Sequence, residues 1–325
     1  CALGLAVPAA QVVACGALMR KGVLIKDGSA LERLAEASFL LFDKTGTLTL
    51  GRPEPINLDA LSPDDLAVIR ALAQSSRHPL STALRRTLEH KPLPAIVLTQ
   101  VREVPGQGVE ALLDGRRVAL GRSTTPIDWV GLACAYHRPD GTVVPVRFED
   151  SLRPQAPETV AMIKQMGLST MIASGDRPVA LQPIAAALDM SATANMLPGE
   201  KMALIERLRA SGEKVLMVGD GLNDGPALAA GHVSLAPSSA SDASQLTADA
   251  VFVGDGLLPV ALALQVARRT LHIVRENFVI AVGYNVLAVP LAIAGYVTPL
   301  IAALAMAGSS LIVVGNSLRL YRAAR

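Results

Sequence analysis

The run Phe39-Leu40-Leu41-Phe42-Asp43-Lys44-Thr45-Gly46-Thr47-Leu48-Thr49 constrains this chain more than any other. Four apolar residues lead straight into one acid. That is the pattern of a short strand buried on both faces, with Asp43 at its carboxyl end. Such strands belong to parallel sheets, whose carboxyl ends face the ligand. Gly46 lets the backbone wrap closely round a phosphate, and the threonine hydroxyls can donate to its oxygens. A carboxylate held there can attack a phosphoryl group and form an aspartyl phosphate. A lone Asp would more simply end a strand in an ordinary turn.

The intact segment Asp43 to Thr49 resembles the phosphorylation motif of the P-type ATPases. The resemblance implies that Asp43 is the phosphorylated residue, flanked by Lys44 and Thr45. Phosphatases of the same broad haloacid-dehalogenase fold place a second Asp two residues after the nucleophile. Here that position is Thr45, so water attack on an acyl phosphate is slow and the intermediate lasts.

Three later stretches fit the same resemblance. Leu168-Ser169-Thr170-Met171-Ile172-Ala173 reads as a buried strand ending in Ser174-Gly175-Asp176, like the second haloacid-dehalogenase motif. Ser174 supplies a hydroxyl for a phosphoryl group. Pro198-x-x-Lys201 opens a helix, and the resemblance makes Lys201 the cation that offsets phosphoryl charge. Lys214 to Val218 is an apolar strand running into Gly219-Asp220-Gly221-Leu222-Asn223-Asp224. Hard carboxylates suit Mg2+. The family pattern puts Asp43, Asp220 and the Thr45 carbonyl on that ion, with Asn223 and Asp224 orienting it. Alternating strands and helices imply a doubly wound parallel sheet. The expected fold is therefore an α/β haloacid-dehalogenase-like sheet with an inserted α+β nucleotide-binding domain and C-terminal transmembrane helices.

The insert is expected at residues 51–146, between a first part of the phosphorylation domain (22–50) and a second (147–265). Ser62 reads as an N-cap with Pro63 and acids in the first turn, and a second helix starts near Pro79. Ser75-Ser76-Arg77-His78-Pro79-Leu80 resembles the histidine-proline signature of metal-pump nucleotide domains, and Gly106-Gln107-Gly108 their glycine pair. The resemblance implies ATP binding at His78, Pro79, Gly106 and Gly108. Many relatives carry Glu where Arg77 stands. A lone His beside Pro is more simply a helix cap. No Walker-type phosphate loop is present.

With 325 residues, 51% hydrophobic, the chain has room for soluble domains and membrane segments. A net charge of +2 without a basic run argues against nucleic-acid binding. Cys1, Cys15 and Cys134 form no disulfide framework, as expected of a reducing cytosolic face. Residues 1–21 read as the cytosolic end of a membrane helix, and the chain as the C-terminal part of a longer protein. Residues 278–296 and 299–318 are uncharged and long enough to span; with its flanks the hairpin covers 276–320. Arg268, Arg269 and Arg275 before it, and Arg319, Arg322 and Arg325 after it, place both outer ends in the cytosol.

Cys1-Ala2-Leu3-Gly4-Leu5-Ala6-Val7-Pro8 resembles the segment after Cys-Pro in heavy-metal P-type ATPases, where Cys1 would be a metal ligand. Asn277, Tyr284-Asn285, Pro290, Met306 and Ser309-Ser310 resemble the last two helices of the copper-transporting subgroup. Zinc- and cadmium-transporting relatives place a Lys and an Asp there. The resemblance implies a transported-ion site at Cys1, Tyr284, Asn285, Met306 and Ser310. Thiolate and thioether donors favour Cu(I).

Together these resemblances imply ATP-driven transport of a soft metal, Cu(I) first, from the cytosol across a bacterial inner membrane, through an aspartyl phosphate. Mg2+ and ATP are the implied cofactors. Membrane lipid and a cytosolic metallochaperone are the implied partners. The Ser-Arg-His-Pro variant further resembles pumps that supply respiratory oxidases. The alternatives are a zinc or cadmium pump, a membrane-tethered phosphatase, and a regulatory nucleotide-binding module.

Overall fold

The computed structural model describes residues 2–123, 129, 131–220 and 224–323. Its packing divides the chain into two units, Thr49–Leu152 and the remainder. The first unit opens with α1 (Ala2–Met19), β1 (Val23–Ile25), α2 (Gly28–Glu36) and β2 (Phe39–Phe42). The insert follows: β3 (Thr49–Pro55), α3 (Pro63–Ala73), α4 (Pro79–Leu88), β4 (Thr99–Val104), β5 (Gly108–Leu113), β6 (Arg116–Gly121), β7 (Leu132–His137) and β8 (Val143–Leu152). The chain then returns with α5 (Ala156–Gln165), β9 (Ser169–Ala173), α6 (Pro178–Ala187), β10 (Ser191–Thr193), α7 (Pro198–Ala210) and β11 (Val215–Val218). It finishes with α8 (Gly225–Ala230), β12 (Val233–Pro237), α9 (Asp242–Thr247), β13 (Ala250–Phe252), α10 (Leu258–Ile293), α11 (Pro299–Ser317) and α12 (Leu320–Ala323).

Seven strands of the first unit form one sheet in the order β1-β13-β12-β11-β2-β9-β10. All pairs are parallel except β1 with β13. The apolar run of β2 therefore sits in the middle. Leu40, Leu41 and Phe42 are fully buried, with Leu41 packed among Val215, Met217, Ala227 and Leu228. Both neighbours of β2 come from the far side of the insert, and the strand order reverses there. That is the crevice where doubly wound sheets bind ligand.

The insert is a six-stranded antiparallel sheet, β3-β8-β7-β6-β5-β4. Ile69, Leu72, Leu84, Val118, Tyr136 and Phe148 share its core. Helix α3 starts as its sequence signals. Ser62 Oγ accepts from Asp65 N at 3.1 Å, and the Ser62 amide donates in return to Asp65 Oδ2 at 3.4 Å.

Helices α10 and α11 are long and apolar enough to cross a membrane. Helix α10 starts well ahead of the uncharged stretch 278–296. It is a single 36-residue helix. Its first half packs against α2 and α5, and it also packs on α1 and α11. Arg268 explains why the helix continues through charged sequence. Its guanidinium donates to Met166 O at 2.6 Å and Ala37 O at 3.1 Å, so the charge is used inside the first unit.

Candidate functional site

Parallel register assembles the catalytic end of the sheet. Phe42 lies opposite Val218 on one side and Ile172 on the other. Asp43, Asp220 and Ser174 therefore leave their strands at nearly one level. The Asp43 amide donates to Val218 O at 2.8 Å, fixing the acid at the strand end. Asp43 is 6% exposed, Asp224 2% and Lys201 6%. Lys201, in the first turn of α7, donates from Nζ to Asp43 Oδ1 and, at 2.8 Å, to Asp224 Oδ1.

Oxygens of Asp43, Asp220 and Asp224 lie within 4.8 Å of one another. So much negative charge in a dry crevice resists ionisation. Burial first, then Asp224, raises Asp43 to about 6 despite Lys201. Burial, then Asp43 and Asp224, raises Asp220 to about 7 despite Arg153. Burial alone would pull Lys201 down, but the two carboxylates outweigh it and its ammonium is held charged. One cation for three carboxylates leaves an excess of hard oxygen donors, a fit for a small divalent ion. Asn223 lies outside the described residues.

The loop after Asp43 is a turn that only glycine completes. Thr45 has φ −74°, ψ 129° and Gly46 φ 70°, ψ −10°, type II values with Gly46 in the left-handed place. A Cβ on Gly46 would also overlap the Asp220 carboxylate. Thr45 is exposed and brings no acid to the site. Lys44 forms an ion pair with Asp176. The Ser174 hydroxyl accepts from the Asp176 amide at 3.1 Å, tightening the Ser174-Gly175-Asp176 turn.

Sequence reasoning missed Arg153. Its side chain is 2% exposed. Nε donates to Thr47 O at 2.9 Å and Nη2 to Gly46 O at 2.6 Å. Nη1 donates to Gly254 O and Asp255 O, both at 3.2 Å. One guanidinium thus ties the loop after Asp43 to the loop after β13. The available signal was an Arg before Pro154, where the chain re-enters the first unit.

In the insert, His78 is the N-cap of α4, its Nδ1 accepting from Leu80 N at 3.3 Å. The ring is exposed. The cap engages Nδ1 and does not use Nε2. Gly106 has φ 76° with open space beside it. Gly108, with φ 125°, lies opposite Gly121, and a Cβ would meet Gly121 Cα at 2.5 Å. Pro79 occupies the first turn of α4.

The haloacid dehalogenase-like hydrolase profile matches residues 39–232, the strand of Asp43 through the acids after β11. The chain belongs to that family. Over nearly its whole length the chain is similar to metal-transporting P-type ATPases. It is 48% identical over 330 residues to the nitrogen fixation protein FixI of Rhizobium leguminosarum bv. viciae, covering 98% of this chain and 43% of that one. It is 35% identical to a copper-exporting P-type ATPase of Mycobacterium tuberculosis, covering 100% of this chain and 45% of that one. The crystal structure of a zinc-transporting PIB-type ATPase in an E2·Pi state superposes with a TM-score of 0.84 at 31% identity, over 99% of this chain and 56% of the other. The chain spans less than half the length of these curated relatives.

In this haloacid dehalogenase-like hydrolase, α10 and α11 run antiparallel, joined by polar contacts. Asn277, fully buried, donates to Ala6 O at 3.2 Å and Ser317 Oγ at 3.1 Å. Asn316 donates to Asn277 Oδ1 and Glu276 Oε2, both at 3.0 Å. One turn deeper, Ala281 packs on Val313. The same spacing carried another turn sets Asn285 level with Ser309. Ser309 is buried, whereas Met306 is 51% exposed and Ser310 is more open than Ser309. Both serine hydroxyls bond the Met306 carbonyl of their own helix. Tyr284 is half-buried. Cys1 lies outside the described residues.

Proposed function

We propose that this chain is the catalytic and C-terminal membrane portion of an ATP-driven soft-metal pump working through an aspartyl phosphate. The observation that carries the reading is the environment of Asp43: buried, paired with Lys201, beside two further acids, and with Thr45 where a hydrolase would need an acid. An Asp43 carboxylate oxygen attacks the γ-phosphorus of ATP; the bond to the β–γ bridging oxygen breaks and ADP leaves. Lys201 offsets charge on the transferred oxygens, and the Ser174 hydroxyl donates to one of them. Asp43, Asp220 and the Thr45 carbonyl would hold Mg2+, with Asn223 and Asp224 orienting it. The ion supplies electrostatic stabilisation of the transferring group. His78, Pro79, Gly106 and Gly108 would hold the nucleotide. Full-length protein incubated with γ-labelled ATP should give an acid-stable, hydroxylamine-sensitive phosphoprotein. Full-length Asp43→Asn protein should give none; labelling at the wild-type level would refute the role of Asp43.

Cu(I) is the cargo this reading favours. The uncharged stretches 278–296 and 299–318 offer thioether and neutral oxygen donors. A monovalent soft ion needs few such donors, whereas Zn2+ needs anionic ligands to offset its dehydration. Cys1, Tyr284, Asn285, Met306 and Ser310 form the proposed ligand set. Cu(I) should stimulate the intact protein's ATPase more than Zn2+ does. Met306→Ala should lower that stimulation more than it lowers phosphorylation by inorganic phosphate. Equal stimulation by the two ions would turn the reading to the zinc-transporting alternative.

A further inference from the structure

We propose that Glu103 and Ser76 are the positioning pair that joins the two halves of the nucleotide face. The proposal rests on reading His78, Gly106 and Gly108 as that face. His78 and Gly106 are distant in the sequence, and neither motif by itself supplies a link between the two segments. The link is a single hydroxyl. Ser76 is 5% exposed. Its Oγ donates to Glu103 Oε1 at 2.6 Å and accepts from the His78 amide at 3.1 Å. A hydroxyl has one proton. With that proton committed to Glu103, a lone pair is left facing the His78 N–H. The carboxylate therefore sets the direction of the hydroxyl, and the hydroxyl sets the backbone that carries the ring.

Both ends of the link belong to the face. Glu103 stands opposite Val109 across β4 and β5. Val109 is buried in the core shared with α3 and α4, so Glu103 lies on the helix side of this edge strand. Three residues further along the same chain is Gly106. On the other side, the His78 ring caps α4 through Nδ1, accepting from Leu80 N at 3.3 Å. In a neutral ring that acceptor role puts the proton on Nε2. The exposed edge of His78 is then an N–H donor, the group that a purine ring nitrogen accepts from. Glu103 acts through Ser76 and the His78 backbone, and need not touch the nucleotide.

The experiment is titration of the full chain in detergent with ATP, read by calorimetry, for wild type, Glu103→Ala, Ser76→Ala, the double variant and Glu103→Gln. Each alanine variant should weaken binding roughly tenfold, the scale of one hydrogen bond to a charged group. The double variant should be no weaker than the weaker single, because the pair acts as one unit. Glu103→Gln keeps a carbonyl acceptor and should restore near wild-type affinity. Nitrogen-15 spectra of the His78 ring should show the Nε2–H tautomer in wild type and a mixture in Ser76→Ala. If Glu103→Ala loses fold stability, the Ser76→Ala and Glu103→Gln proteins still decide the matter. Wild-type ATP affinity in both alanine variants, or additive losses, would overturn the pair. A wild-type chain that binds no ATP would instead sink the nucleotide reading itself, and the pair with it.

Discussion

The crevice around Asp43 and the face around His78 are built in opposite ways. At Asp43 the central groups Asp43, Ser174, Lys201 and Asp224 are buried, and the parts are fixed in place: Asp43 by Val218 O, Lys201 by the first turn of α7, the following loop by the Arg153 side chain. At His78 the ring is exposed, the glycines offer bare backbone, and one serine links the parts. On the proposed reading, the difference follows from what each must do. Bond making needs charges held in low dielectric, where they act strongly and need not reorganise. Holding a base and sugar needs shape and a few donors, which an open surface supplies. The first should thus be intolerant of small changes and strongly tied to protonation; the second should lose affinity in modest steps.

The largest contrast is between Lys201→Met and His78→Ala. Removing Lys201 leaves Asp43 and Asp224 facing each other without their shared cation. Breaking a buried pair from one side costs about 3–5 kcal/mol. The chain should melt well below wild type, and phosphoenzyme should fall by about a hundredfold or more at saturating ATP. His78→Ala should leave the melting point nearly unchanged and weaken ATP about tenfold, because the ring is exposed and its loss removes the proposed ligand contact and one cap. A Lys201→Met protein with wild-type labelling would erase the distinction between the two regions.

Protonation separates the regions in sign. Asp43 and Asp220 stand at about 6 and about 7, above the ordinary carboxylate value near 3.8. The folded chain therefore holds those protons more tightly than the unfolded chain does. Stability from these groups is full below about pH 4 and is lost as pH rises through 6 to 7. In the insert, burial pushes Asp65 up, but its bonds from Arg138 (3.0 and 2.7 Å) and Ser62 outweigh this and hold it low. That stability is present above pH 4 and lost as pH falls below it. Hydrogen exchange without Mg2+ should show the sheet around β2 opening more readily at pH 8 than at pH 5. The insert should loosen only near pH 3–4. Mg2+ at pH 8 should restore the first region and leave the second unchanged. Loosening of both regions together at high pH would remove the charged crevice as the cause.

Much of this was legible in the sequence. An uninterrupted apolar run ending in one acid identifies a central parallel strand, and a serine before proline and acids identifies the start of α3. Both are local signals. Arg153 was not legible, because its partners are carbonyls of Gly46, Thr47, Gly254 and Asp255, and a backbone acceptor leaves no mark in the residue pattern. The Ser76–Glu103 bond was hidden for the same reason of distance, an ordinary serine and an ordinary strand glutamate meeting only after folding. The length of α10 was obscured by Arg268, which reads as an interruption until its carbonyl partners are seen.

The smallest expected effect separates the two glycines of the insert, which sequence reading treats as a pair. Gly108 is demanded by the fold: a side chain there would collide with Leu120 O and Gly121 Cα, and φ is 125°. These are backbone atoms of a paired strand and cannot move aside without opening the β5–β6 ladder. Gly108→Ala should therefore destabilise the insert by roughly 2–3 kcal/mol, whatever the nucleotide does. Gly106 has open space within 4 Å and only its φ of 76° to satisfy. Gly106→Ala should cost about 1 kcal/mol in stability. Its methyl would instead stand where a ligand needs the bare turn, so ATP affinity should fall several-fold in a protein that melts almost normally. Thermal melting and ATP titration of the two variants give the answer side by side. If Gly106→Ala binds ATP as wild type does, the glycine turn is only a turn, and the nucleotide face narrows to His78 and its supporting serine.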